Sequence, residues 1–112
     1  MHIRKLLGLV LLGLSLPAAA DFRTITEVHE VNLIFLRLPA TSSGTLSFAG
    51  CADCDSQTIR VIPATRYLVN GRTVSLADFK RAVASVTNRE DTIINVSHHL
   101  ESNTVTTVTA KL

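Results

Sequence analysis

The chain has 112 residues, a formal net charge of +2, 46% apolar residues and 4% aromatic ones. That length suits one small domain, and it exceeds the roughly 40 residues below which a fold usually needs staples or metals. Arg4 and Lys5 account for the whole charge excess: from Asp21 onward nine Lys or Arg face nine Asp or Glu, and a neutral chain without a basic run argues against nucleic acid or an anionic membrane as partner.

The first twenty residues read as an address. Arg4 and Lys5 make a positive start, and Leu6 to Leu16 is an apolar run broken only by small residues. Pro17-Ala18-Ala19-Ala20 then supplies the small-x-small pattern that a signal peptidase reads. Residues 1–20 are therefore expected to be a cleaved signal peptide, and residues 21–112 a single small α+β domain. The Ala-rich end has a bacterial character and points to the periplasm. The apolar run is little more than half of the about 20 residues that cross a bilayer, so no membrane span is expected after cleavage. No cysteine follows the cut, which argues against a lipid anchor.

Thr24 to Leu38 is rich in β-formers and reads as the first strand. Its charges fit the outside only if the pairing slips between Glu27 and Glu30, so a bulge is expected there. The later half is apolar on both parities, as in a strand covered on both faces. Pro39 ends it, and Ala40 to Gly44 is a polar loop. Thr45 to Ala49 is a strand with Leu46 and Phe48 inward, and Thr58 to Ile62 is its partner. Pro63 is expected to interrupt that partner, since proline cannot donate a ladder hydrogen bond. Arg66 to Val69 and Arg72 to Val74 flank Asn70-Gly71, a pair that suits a two-residue type I′ hairpin turn.

Ser75 opens the expected helix, about 76–87, with Asp78 placed for a capping box. Leu76, Phe79, Val83 and Val86 recur at helical spacing on one face, and Asn88 is the expected stop. Thr92 to Leu100 is a strand with Ile94, Val96, His98 and Leu100 on one parity. Glu101-Ser102-Asn103 is a turn, and Thr104 to Ala110 is the last strand. Val105 and Val108 there have opposite parity, which implies a bulge or a two-sided surface. The sum is a mostly antiparallel sheet of about five to seven strands with one amphipathic helix packed on it, or a small open barrel.

Chemistry centres on Gly50-Cys51-Ala52-Asp53-Cys54-Asp55, which holds both cysteines. In an exported protein two cysteines pair by default, here at the tip of a hairpin. A redox thiol sits instead at a helix N-terminus beside cations, which lower its pKa. Asp53 and Asp55 are anions, and strands appear on both sides. Cys51 and Cys54 are therefore expected to form a structural disulfide, with Gly50, Asp53 and Asp55 as a possible binding loop. A thiol–disulfide role for Cys51 and Cys54 is the alternative.

His29, His98 and His99 are the histidines available to a metal, but His98 and His99 are strand neighbours and point to opposite faces. A metal-handling role is the weaker alternative; no metal and no cofactor is expected. Glu27 and Glu30 flank His29 on what reads as a solvated strand face. No Gly-x-Ser-x-Gly turn, His-Glu-x-x-His spacing or phosphate-cradling glycine loop occurs, so no catalytic residue is proposed. Thr104, Thr106, Thr107 and Thr109 suggest a polar sheet face, or an edge that accepts another strand. The expected function is that of a small non-enzymatic binding or accessory module, monomeric or weakly self-associating, whose partner is a protein or an envelope component.

Overall fold

The computed structural model describes residues 25–112, so the expected signal peptide and its cleavage point lie outside the described residues. The strands are β1 (Thr26–Asn32), β2 (Leu36–Arg37), β3 (Thr45–Phe48), β4 (Gln57–Val69), β5 (Arg72–Val74), β6 (Ile93–His99) and β7 (Thr104–Ala110). Among the described residues there is one α-helix, α1 (Leu76–Ala84), and two short 3-10 turns, Leu33–Phe35 and Arg89–Asp91. The strands form one sheet in the order β1-β6-β7-β4-β3-β2, with β5 paired to β4. All pairings are antiparallel except β4 with β7, which is parallel. The result is the expected small α+β fold, its mixed sheet curled into a half-barrel.

The core follows from parity. Ile59 and Val61 on β4, Ile94 and Val96 on β6, and Val105 and Val108 on β7 are all 0–1% exposed. Phe79 and Val83 of α1 join them, with the Phe79 ring 5.6 Å from that of Tyr67 on β4. Burying side chains of this size contributes about 1.5–3 kcal/mol each, enough to fix which face of each strand turns inward. Ser75 caps the helix as expected, its hydroxyl accepting the Asp78 backbone N–H at 3.1 Å. The Asp78 carboxylate does not complete a capping box; it accepts from Arg81 Nη1 at 2.6 Å. The helix ends at Ala84, short of the expected 87, because the Ser85 hydroxyl and Arg89 Nη1 donate to its last carbonyls, Ala82 and Val83.

The Asn70-Gly71 turn forms as read, with φ of 52° and 86°. These are left-handed values that only such residues adopt at low cost. β7 carries the expected irregularity: its register against β6 shifts between Ser97 and His98, so that Val105 and Val108 both face inward.

Four expectations are corrected. The first strand does not run to Leu38. Asn32 breaks it: its Oδ1 accepts the Ile34 N–H at 3.2 Å and its Nδ2 donates to Glu90 O at 2.6 Å, bending the chain into a 3-10 turn. No bulge occurs at Glu27 to Glu30, since β1 pairs β6 without a shift from Thr26↔His99 to Asn32↔Ile93. Pro63 does not end its strand. β4 runs through it, and only the ladder to β7 is broken, between Val61 and Arg66, where Thr65 Oγ1 accepts the Ile62 N–H and donates to Val105 O. Finally, the threonine-rich strand is not an edge. β7 lies between β6 and β4, and the ends of the sheet path are β1 and β2.

Candidate functional site

Two places carry chemistry, one on the surface and one at the rim of the core. The surface place is the β3–β4 connection. Cys51 and Cys54 are bonded, with Cα atoms 5.1 Å apart, and the Cys54 N–H donates to Cys51 O at 3.2 Å to close a tight turn. Every residue from Gly50 to Thr58 is exposed, Asp53 and Asp55 among them. The strands on either side pair Thr45↔Arg60 through Phe48↔Gln57, so the bridge does sit at a hairpin tip. Neither cysteine begins a helix; α1 starts some twenty residues later, at Leu76. The feature that lowers a catalytic thiol's pKa, a helix N-terminus, is therefore not at this loop.

The second place was only half legible. Glu27, His29 and Val31 share one parity of β1, and the register opposes Glu27 to His98 on β6. All four therefore lie on one face, together with Val96 and Ile94, which is the face that packs the core. The half-barrel curl then brings Phe48 of β3 to 5.0 Å from the His29 ring, although three strands lie between β1 and β3 in the sheet. His29 and His98 sit 5.8 Å apart, ring centre to ring centre. Glu27 Oε1 is 3.5 Å from His29 Nε2. One ligand atom from each of Glu27, His29 and His98 lies within 4.8 Å of the other two.

His98 is 6% exposed. Its Nε2 contacts Asn103 Oδ1 at 2.7 Å. An amide oxygen can only accept, so His98 Nε2 carries the proton and donates, and Nδ1 of the neutral ring is left with a lone pair. That Nδ1 and His29 Nε2 are both buried without a hydrogen-bond partner. Leaving such an atom unpaired costs about 1–3 kcal/mol. His99, on the other face, is differently placed: its Nδ1 contacts the Ser102 hydroxyl at 2.9 Å.

Sequence parity shows Glu27 and His29 together and His98 among core residues, but no local signal says that β1 pairs with β6 or in which register. The imperfect alternation that suggested a bulge has another cause: the inward polar groups turn toward one another. A separate open groove, lined by Glu30, Asn88, Asp91, Asn95 and Lys111 among others, mixes charges of both signs and holds none of the unpaired buried atoms. Compared with protein-family models, curated proteins and solved structures, the chain matches none.

Proposed function

We propose that the chain is a small non-enzymatic binding module of an oxidising, exported compartment, the bacterial periplasm, and that it meets a protein or envelope partner through the bridged loop. The observation that carries this reading is the placement of the Cys51–Cys54 bridge. It closes a fully exposed loop outside the buried core cluster, so it shapes a surface rather than securing the fold. Asp53 and Asp55 give that surface a negative face, which suits a partner with a basic patch. Export is supported by the basic, apolar and small-residue order of residues 1–20 and by the default pairing of cysteines outside the cytosol. No helix among the described residues is long and apolar enough to cross a membrane.

Expression of the full chain in a Gram-negative host, with a photo-crosslinking residue at Ala52, tests both halves. The expected product is periplasmic, begins at Asp21 and lacks free thiols. It forms adducts from Ala52 but not from Arg72, on the Asn70-Gly71 hairpin, and Asp53→Asn with Asp55→Asn weakens them. An uncleaved product with free thiols overturns the export reading; adducts equal at both hairpins, or absent from both, overturn the loop as contact surface.

A further inference from the structure

We infer that Glu27, His29 and His98 form a mononuclear site for a divalent transition-metal ion of the zinc or copper(II) class, with Asn103 as the residue that sets which atom of His98 binds. The inference is independent of the loop and of export. It begins from the two orphaned nitrogens. A buried histidine that satisfies one ring nitrogen on Asn103 and leaves the other bare needs an electron-pair acceptor at the bare atom. Among the described residues neither His98 Nδ1 nor His29 Nε2 has a hydrogen-bond partner, although the Glu27 carboxylate lies 3.5 Å from His29 Nε2 and a ligand atom of each of the three residues is within 4.8 Å of the others. A cation placed among the three would satisfy all of them at once.

The geometry suits such an ion. Metal–nitrogen bonds of about 2.0–2.1 Å in a tetrahedral site hold ligand atoms roughly 3.3–3.4 Å apart. The Glu27 to His29 separation, 3.5 Å, already matches. No pair lies beyond 4.8 Å, a gap that side-chain torsions can close. The arrangement around the ligands is also that of a metal site. Metal-bound histidines generally donate their other N–H to a carboxylate or carbonyl, which fixes the tautomer, and Asn103 does this for His98. Phe48 against His29 provides an apolar wall. The Glu27 side chain is 57% exposed and that of His29 20%, so the ion has a way in from solvent and one position faces outward.

Donor type selects the ion. Two imidazoles and one carboxylate suit cobalt(II), nickel(II), copper(II) or zinc, and affinity rises from cobalt through nickel to copper and falls again at zinc. Calcium and magnesium take oxygen ligands and find one here. Three protein ligands leave a fourth position for water or for a donor from outside.

The test uses the oxidised protein, so that neither cysteine can ligate. After chelator treatment and dialysis it is titrated with Zn2+, and separately with Cu2+ and Ca2+, by calorimetry, while the ring-nitrogen NMR shifts of each histidine are followed. One equivalent of Zn2+ is expected, with His29 Nε2 and His98 Nδ1 as the shifted atoms and no response to Ca2+. Glu27→Gln and His29→Gln, at the partly exposed ligands, are expected to keep the circular dichroism of the parent and to weaken binding by more than the Asn103→Ala variant does. For Asn103→Ala the expected loss is roughly 10- to 100-fold. His99→Gln is expected to bind as the parent does. Absence of binding at millimolar Zn2+ overturns the inference. So does binding that survives Glu27→Gln and His29→Gln, or that moves the His99 resonances instead.

Discussion

Among the described residues Tyr67 joins His29 and His98 as a buried polar side chain without a hydrogen-bond partner, and unlike the two histidines it has no neighbours that invite a ligand. It is 4% exposed, its ring packs on Phe79, and its hydroxyl has no hydrogen-bond partner. Burial pushes its pKa above the ordinary 10.0, because the phenolate would be desolvated. The folded state therefore holds its proton more tightly than the unfolded chain. Its contribution is fully present below the unfolded value of about 10 and is lost as pH rises through the higher folded value. Tyr67→Phe removes both the unpaired hydroxyl and this liability. The expected result in urea titrations is a stability at pH 7 equal to the parent or up to about 1 kcal/mol higher, with a shallower fall above pH 10. A loss of 2 kcal/mol or more at pH 7 would show that the hydroxyl has a partner after all. Residues of this kind were legible early: parity put Leu46, Phe48, Ile94 and Val96 inward, and they are inward. The solvated strand face expected of Glu27 and Glu30 holds, since both are exposed; what parity alone does not show is that His29 between them turns toward His98, because the partner strand is not legible.

At the scale of elements, local chemistry was legible wherever one side chain or one turn decides the outcome. Ser75 and the Asn70-Gly71 pair are of that kind. It failed where a distant group decides. Asn32 ends β1 partly by reaching Glu90, 58 positions away, and the carbonyl that anchors the Pro63 bulge belongs to Val105, 40 positions from Thr65. That bulge explains how β4 continues through a proline. Pro63 has no N–H to give, and Thr65 takes over by serving Ile62 N at 3.0 Å and Val105 O at 2.6 Å with one hydroxyl. Thr65→Val keeps shape and volume but removes both hydrogen bonds at a side chain that is 7% exposed. It is expected to lower stability by about 1–3 kcal/mol, with Thr65→Ser retaining most of the parent value. Equal losses for the two variants would mean that the methyl packing, not the hydroxyl, holds the bulge.

The whole molecule is organised around a strand order that no local pattern specifies. Hydrophobic alternation marks each strand's inner face but not its neighbour, so the pattern leaves open both a polar sheet face and an edge for the threonine-rich β7, which is central. Its threonines are tolerated there because Val105, Val108 and Ala110, all 0% exposed, supply the inward contacts, while Thr106 occupies the exposed outer face. Strand order also ranks the two features that a reader of the sequence would expect to matter most. The disulfide closes four residues at one hairpin tip, and the chain-entropy estimate for so short a loop is at most about 2 kcal/mol before strain. Val105 instead sits where β4, β6 and β7 meet, opposite both Val61 and His98. Truncating it to alanine removes two buried methyl groups and leaves a cavity between three strands, a cost of about 2–3 kcal/mol. Thermal unfolding should therefore show the midpoint of Val105→Ala below that of Cys51→Ser with Cys54→Ser, at roughly 4–8 °C per kcal/mol for a domain of this size. The reverse order would mean that the bridge restrains more than its own loop. The curled sheet would then depend on the tip of the β3–β4 hairpin for its closure, with the packing of β7 secondary.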